Sequence, residues 1–199
     1  MKKYGIMGGT FNPIHLGHLM MSEYVRVDFD LDEIIFVPTG NPPHKDNIVN
    51  SKNRYEMTSL AISDNNFFSI SDVEVVKKDT CYSIDTVLSL KKLYSGKFYF
   101  IIGSDTLFQL KTWKKLDELS KEVEFICSLR PEYTDDKTLE IELNFLKKNF
   151  NTTVNIAKTP QYEISSTELR DRILNGKSVK YLIPDRVKKY IDENNLYRG

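Results

Sequence analysis

Short apolar runs alternate along the chain with stretches of helical periodicity. Each run is bounded by turn-forming or charged residues, which is typical of a strand buried in a sheet. The pattern therefore predicts five strands. They lie at residues 2–9 (KKYGIMGG), 33–38 (EIIFVP), 97–104 (KFYFIIGS), 123–129 (VEFICSL) and 153–158 (TVNIAK).

Apolar residues between these runs recur at the spacing of a single helix face. After the first run they fall at positions i, i+3, i+4, i+8 and i+11, which predicts an amphipathic helix. These residues are Leu16, Leu19, Met20, Tyr24 and Val27. Three further faces are predicted in the same way: Ile84, Val87 and Leu88; Leu139, Leu143, Leu146 and Phe150; and Ile183, Val187, Tyr190 and Ile191.

The alternation of strands and helices indicates the fold class. Parallel strands need a crossover connection, and helices commonly supply it on both faces of the sheet. We therefore predict an α/β fold, a single Rossmann-like doubly wound domain with a mainly parallel sheet flanked by helices. The domain is expected to span residues 1–199 and to end in a small helical part at about 166–199. Irregular stretches at 38–50 and 130–137 follow two of the strands, where the ligand crevice of such sheets lies.

Composition narrows the classes of function. The 199 residues include 28 Lys plus Arg and 28 Asp plus Glu, so no overall positive charge attracts nucleic acid or an anionic membrane. No apolar stretch has the length of a transmembrane span or of a signal-peptide core. Cys81 and Cys127 lack metal-type spacing and are interpreted as reduced thiols. These features favour a cytoplasmic protein that binds anions only locally, and they leave a homo-oligomer open.

The first chemical motif, GGTFNPIHLGH, follows the first predicted strand. The glycines at Gly8 and Gly9, followed by Thr10, let the backbone approach a phosphate closely. The i, i+3 spacing of His15 and His18 places both imidazoles on one face of a helix's first turn. Free N–H groups at that helix end would attract the same anion. A metal pair is disfavoured because no Cys or carboxylate completes a ligand set, while two capping or packing histidines remain an alternative.

The second motif, ISSTELR, lies near the C-terminus. Ser165, Ser166 and Thr167 precede a predicted helix that ends near Gly176. An ordinary helix cap is one interpretation. However, three successive hydroxyls exceed the need of one cap, and Arg170 lies one turn further on. The motif therefore indicates polyphosphate binding at a helix N-terminus.

Together the two motifs resemble the nucleotidyltransferase superfamily marked by H-x-G-H and I-S-S-T-x-x-R. Further segments between and after them resemble bacterial-type nicotinate-nucleotide adenylyltransferases, and the resemblance covers nearly the whole chain in order. Two departures are Asn12, where many members have Asp, and Ser83, where Thr is frequent. The matching segments are PPHK at 42–45, CYSIDTV at 81–87, FIIGSD at 100–105, Trp113 with EL at 118–119, and YLIPDRVKKYIDENNLY at 181–197.

This resemblance implies adenylyl transfer from ATP to nicotinate mononucleotide, giving nicotinate adenine dinucleotide and pyrophosphate in NAD biosynthesis. The acceptor phosphate would attack the α-phosphorus in line, without a covalent enzyme intermediate. Catalysis would rest on positioning and on neutralising charge. Mg²⁺ would be bound with the ATP phosphates, and no protein metal site is expected.

The resemblance also implies roles for individual residues. Trp113 would stack on the pyridine ring, Asp105 would bond polar groups of the acceptor, and backbone near Ser83 and Lys114 would meet the nicotinate carboxylate. Plain packing for Trp113 and a helix N-cap for Asp105 are the alternatives. Residues implied in catalysis are His15, His18 and Arg170. Those implied in ATP binding are Gly8, Gly9, Thr10, Phe11, His18, Ile164, Ser165, Ser166, Thr167 and Arg170. Those implied in acceptor binding are Thr39, His44, Lys45, Ser83, Asp105, Trp113, Lys114 and Arg130.

Other functions stay open. A related enzyme sharing H-x-G-H, such as pantetheine-phosphate adenylyltransferase or a cytidylyltransferase, is opposed by the PPHK, YSIDT and Trp113 segments. An adenylyltransferase that prefers nicotinamide mononucleotide stays open, because a backbone that recognises a carboxylate requires no particular side chain. A non-catalytic nucleotide sensor is opposed by the intact His15, His18 and Arg170. Nucleic-acid binding through Lys111, Lys114 and Lys115 has little support, because KTWKK is typical of a solvated helix face.

Overall fold

The computed structural model describes residues 1–40, 48–77, 79–129, 136–160 and 163–198, and only the backbone of Asp136. Within these ranges six strands form one sheet in the order β3-β2-β1-β4-β5-β6, and every pairing is parallel. The strands are β1 (Lys3–Gly9), β2 (Glu33–Pro38), β3 (Phe68–Ile70), β4 (Lys97–Gly103), β5 (Glu124–Ser128) and β6 (Val154–Ala157).

The strand order places a topological switch point between β1 and β4. The chain runs from β1 outward through β2 to β3, then crosses back to β4 and continues outward to β6. In sheets of this order the ligand crevice lies at the carboxyl ends of the strands beside the switch point. The five predicted strands are confirmed. The sixth, β3, was not predicted because three partly buried residues carry no periodic signal.

Helices cover both faces of the sheet. They are α1 (Leu16–Asp28), α2 (Ser51–Ile62), α3 (Ser83–Leu93), α4 (Ser104–Gln109), α5 (Leu116–Glu122), α6 (Asp136–Phe150), α7 (Ser166–Leu174) and α8 (Asp185–Glu193), with a 3₁₀ turn at Leu110–Thr112. Successive residues of β2 point to opposite faces. Ile34 belongs to the cluster that holds α1, α2, α7 and α8, and Ile35 to the cluster that holds α3 to α6. The predicted doubly wound architecture is confirmed.

The predicted face of α1 is partly wrong. Tyr24 and Val27 are 43% and 54% exposed, whereas Ser22 and Val25 are fully buried. Successive residues of a helix are separated by about 100°, so the buried stripe of α1 lies on another side from Tyr24 and Val27. Hydrophobicity did not indicate that stripe because one of its members, Ser22, is polar.

Two other helical features differ from the sequence pattern. Leu88 of α3 is 42% exposed, although Ile84 and Val87 on the same helix are buried as predicted. Helix α2 was not predicted, because its buried face carries Arg54 and Thr58 among apolar residues. A polar residue within a buried face interrupts the pattern from which a helix is predicted.

The C-terminal helices belong to the apolar core on one face of the sheet. Leu169 of α7 and Val187 of α8 lie in the same apolar cluster as Ile34 of β2, and the Leu16 N–H donates to Leu182 O at 3.0 Å. The boundaries of a single domain at 1–199 stay a prediction. Among the described helices, none combines the length and the apolar character needed to cross a membrane.

Candidate active site

The end of β1 and the loop after it form one wall of the candidate site, and the two glycines that end β1 have a packing role. A Cβ on Gly9 would lie 2.8 Å from the Phe11 ring, and one on Gly8 would lie 3.3 Å from Phe100. Phe11 has a positive φ of 48° and packs edge-on against His18, with centroids 5.1 Å apart. The two glycines therefore leave room for aromatic rings, and their close approach to phosphate stays a prediction.

The two histidines stack at the start of α1. Their ring centroids are 3.7 Å apart, and the backbone N–H of His15 donates to Nδ1 of the His18 ring at 3.3 Å. Burial, and secondarily the neighbouring His15, hold the pKa of His18 well below its usual value. The His18 imidazole is therefore neutral near pH 7. Because Nδ1 accepts a hydrogen bond, the proton lies on Nε2, which can donate to a ligand.

Gly17, between the histidines in sequence, lies close to the His15 ring. A Cβ at this position would lie 3.1 Å from Nδ1 and 3.2 Å from Cε1 of His15. The sequence analysis assigned no role to Gly17. The helix end is also less open than expected, because the N–H of Leu16 is taken by Leu182 and that of His18 donates to His15 O at 3.0 Å.

Helix α7 brings the second motif onto the first. Ser165 is its N-cap, and the side chain accepts the Glu168 N–H at 3.1 Å. Ser166 instead donates its hydroxyl to Pro13 O at 2.9 Å. The hydroxyls thus have different tasks: Ser165 caps α7, whereas Ser166 joins it to the segment before α1.

Arg170 reaches the same loop through Asn12. Its guanidinium donates to Asn12 O at 3.0 Å and to Thr167 Oγ1 at 3.2 Å. The Asn12 side-chain oxygen accepts the Tyr197 hydroxyl at 2.8 Å and the Val49 N–H at 3.3 Å. Burial raises the pKa of Tyr197, so this phenol remains a donor. Asn12 therefore connects α7, the C-terminal segment and the chain before α2.

Two cavities share His18 and Ser166 in their linings, and these two residues form the junction between them. The first measures 290 Å³ and has no Asp, Glu, Lys or Arg among its described lining residues; the second measures 320 Å³ and includes Arg170. The first is lined by His15, Gly17, His18, Met21, Gly103, Ser128, Thr159, Pro160, Ile164, Ser165 and Ser166. The second is lined by Thr10, Phe11, Asn12, His18, Ile48, Ser166, Thr167 and Arg170. Most residues predicted to bind ATP therefore line one cavity or the other.

The described residues among those predicted to bind the acceptor, Thr39, Ser83, Asp105, Trp113 and Lys114, line neither cavity. The Thr39 N–H donates to Gly9 O at 2.9 Å, so Thr39 lies beside the end of β1. The Lys114 ammonium lies 4.1 Å from the centroid of the Tyr82 ring, next to Ser83 at the start of α3. These contacts place Thr39 beside the loop after β1, and Lys114 beside the first turn of α3.

Trp113 and Asp105 lie near the end of β4. The Trp113 ring is partly buried and packs edge-on against Phe100 and Phe125, with centroids 5.5 and 6.4 Å away. Asp105 is exposed in the first turn of α4, whose N-cap is Gly103, so Asp105 is not the helix cap. The other predicted acceptor residues, His44, Lys45 and Arg130, lie outside the described residues.

No protein metal site is found in the described part of the chain, where no three His, Cys, Asp or Glu side chains come together. Arg54, a buried residue of α2 whose guanidinium contacts Thr10, was not predicted from the sequence. Arginine is normally exposed, so nothing in the sequence separates this residue from a solvated helix position.

The fold and the two neighbouring cavities define a nucleotide-binding α/β protein with the motifs of a nucleotidyltransferase. Residues 6–172 match the family model described as Cytidylyltransferase-like. The chain is 42% identical over 200 residues to a probable nicotinate-nucleotide adenylyltransferase of Thermoanaerobacter sp. (strain X514), covering 98% of this chain and 94% of that protein. It is 42% identical over 202 residues to the nicotinate-nucleotide adenylyltransferase of Bacillus subtilis (strain 168), covering 100% of each. The chain belongs to the nicotinate-nucleotide adenylyltransferase family.

A solved structure has the same fold. It is the Plasmodium falciparum nicotinic acid mononucleotide adenylyltransferase complexed with NaAD, with a TM-score of 0.81, 22% sequence identity and coverage of 99% of this chain and 98% of that one. The family predicted from the motifs is confirmed by the sequence relatives, and the fold by this structure.

Proposed function

We propose that this protein transfers the adenylyl group of ATP to nicotinate mononucleotide, with release of pyrophosphate. The observation that carries the proposal is that His18 and Ser166 line both cavities. The first cavity has no Asp, Glu, Lys or Arg among its described lining residues, and the second contains Arg170. The names of the full-length relatives, nicotinate-nucleotide adenylyltransferases, support the same reaction.

ATP would occupy both cavities. The first has no formally charged side chain among its described lining residues and presents the Ser128 and Thr159 hydroxyls, which lie 2.5 Å apart, so it suits an adenosine group. The second suits the phosphates, because Arg170 and the first turn of α7 attract anions. This arrangement brings the α-phosphorus to the junction beside His18.

The chemical step needs no protein nucleophile. An oxygen of the acceptor phosphate forms a bond to the α-phosphorus while the bond to the bridging oxygen breaks, and pyrophosphate leaves with that electron pair. His18 would donate its Nε2–H to a phosphate oxygen, and Arg170 would balance the negative charge. Mg²⁺, which would neutralise phosphate charge when bound, would enter with ATP, because no carboxylate is among the described residues that line the two cavities.

The acceptor would lie on the β2 and β4 side of this junction. We keep the proposal that Trp113 stacks on the pyridine ring and that backbone near Ser83 and Lys114 binds the carboxylate. It is supported by the partial exposure of Trp113 and by the contact of Lys114 with Tyr82. Cytoplasmic location, oligomeric state and the lack of a nucleic-acid partner stay predictions.

Pyrophosphate release from ATP and Mg²⁺ tests the proposed function, with nicotinate mononucleotide in one reaction and nicotinamide mononucleotide in another. We expect a strong preference for the acid. Preference for the amide would reverse the choice of acceptor, and no release with either would favour a related transferase or a nucleotide sensor.

A pair of variants on one helix tests the role of His18. We expect His18→Ala to lower turnover about a hundredfold or more, by analogy with the loss of an oxyanion-hole donor. Ser22→Ala changes a buried residue one turn further along α1 that lines neither cavity, and it should turn over ATP like the parent. Equal turnover of His18→Ala and the parent would show that His18 has no role in the chemical step.

A further inference from the structure

Arg54 is a fully buried cation that lines neither cavity, with 1% of its surface exposed. Its guanidinium nevertheless binds three separate parts of the chain. Nη1 donates to Thr10 O at 2.8 Å and to Thr39 Oγ1 at 3.3 Å, Nη2 donates to Gly40 O at 2.5 Å, and Nε donates to Val49 O at 2.9 Å. All of these acceptors are carbonyl or hydroxyl oxygens.

The charge of Arg54 has no direct ion pair within the described ranges. Glu74 lies on the other side of Gly40, where its carboxylate accepts the Gly40 N–H and the Thr86 hydroxyl, the latter at 2.5 Å. Burial lowers the pKa of Arg54, whereas Tyr197 and Glu74 act in the opposite direction. Arginine stays protonated in proteins, so a buried positive charge is retained at this position.

The partners of Arg54 belong to both halves of the candidate site. Thr10 lines the cavity assigned to the ATP phosphates, whereas Thr39 and Gly40 lie at the end of β2, on the acceptor side. Val49 extends the connection, because its N–H donates to the side chain of Asn12. One guanidinium therefore donates hydrogen bonds to both halves of the candidate site.

We infer that Arg54 is a positioning residue, which holds the loop after β1 and the end of β2 in a fixed relation so that both substrates meet in line. The inference rests on the proposed function for its kinetic consequence. Misplacement of reacting groups by about 1 Å can cost about a hundredfold in rate. Loss of these hydrogen bonds should therefore raise the KM for both substrates rather than for one.

Arg54→Lys tests this role, because lysine keeps the charge but cannot hold several acceptors in a planar fork. We expect the KM values for ATP and for nicotinate mononucleotide each to rise about tenfold, and kcat to fall about tenfold or more. Glu74→Gln removes charge only on the Gly40 side and should raise the KM for the mononucleotide alone. Met57→Ala, a buried change on the same helix at a residue that lines neither cavity, should lower stability with both KM values unchanged.

Amide hydrogen exchange provides a readout that needs no substrate. The N–H groups of Thr39 and Val49 are both hydrogen-bonded, to Gly9 O and to Asn12. Compared with Met57→Ala at matched stability, Arg54→Lys should accelerate exchange at both. Equal exchange in the two variants, or a change in only one KM, would overturn the positioning role. A parent protein that releases no pyrophosphate would instead contradict the proposed function, and the exchange experiment would still decide the role of Arg54.

Discussion

Burial of the His18 imidazole makes the stability of the unliganded protein depend on pH. In the unfolded chain this histidine takes up a proton near pH 6.5, but in the folded protein its lowered pKa keeps it neutral. The unfolded state therefore binds more protons below about pH 6.5, and folding stability falls as the pH falls through this window. The slope from one such group is at most about 1.4 kcal/mol per pH unit.

His18→Gln should remove this contribution. We expect the free energy of unfolding of the parent to decrease more steeply than that of His18→Gln between pH 6.5 and the lowered pKa of the folded protein. Urea denaturation of both proteins at a series of pH values measures the difference. If the difference in free energy of unfolding between the parent and His18→Gln stays constant over this pH range, His18 titrates normally in the folded protein.

Gly17→Ala is expected to lower activity without lowering stability. Alanine is favoured over glycine in a helix by up to about 1 kcal/mol, but the added methyl would press on the His15 ring. We expect an unchanged or slightly higher Tm and a turnover reduced by about tenfold or more, because the histidine pair shifts. Ser22→Ala on the same helix is the control for both measurements, and parental turnover in Gly17→Ala would contradict the steric argument.

Residues of the site could be predicted from the sequence where they are contiguous. HLGH and ISSTELR each place their polar groups within one helical turn, so local spacing was sufficient. Their mutual contacts, from Ser166 to Pro13 and from Arg170 to Asn12, join residues 153 and 158 positions apart, and only the fold reveals them. Arg54 was missed for a different reason, because burial of an arginine leaves no mark in local sequence.

At the level of helices and strands, the sequence predicted which elements exist better than which face of a helix is buried. The five longer strands were found because buried parallel strands are continuous apolar runs. The short edge strand β3 and helix α2, with Arg54 in its buried face, lacked such a signal. Helix α1 was found, but its buried stripe was misjudged because Ser22 lies in it.

The corrected face of α1 can be tested with two identical substitutions. Val25→Ala should lower the free energy of unfolding by about 2 kcal/mol, because it removes buried methyl groups and leaves a cavity. Val27→Ala, two positions further on and 54% exposed, should change it by less than about 0.5 kcal/mol. Denaturant unfolding of the two variants measures both values. Equal losses in the free energy of unfolding would contradict the corrected face of α1.

The whole molecule is expected to unfold as one unit, although α7 and α8 follow the last strand. The single tryptophan, Trp113, packs in the apolar cluster on the α3 to α6 face, whereas Val187 of α8 lies in the cluster on the other face. Cooperative unfolding of one domain couples the two faces through the sheet between them. Trp113 fluorescence therefore reports the unfolding of a variant whose substitution lies on the other face of the sheet.

Val187→Ala should shift the denaturation midpoint seen by Trp113 fluorescence and the midpoint seen by far-UV circular dichroism by the same amount. The expected loss is about 2 kcal/mol, because buried methyl groups are removed. Lys189→Ala, on the exposed side of α8, should leave both midpoints in place, since the Lys189 to Glu193 ion pair is a surface contact. If only the circular dichroism signal moved, the C-terminal helices would fold separately from the sheet. Equal shifts would show that α8 unfolds together with the sheet.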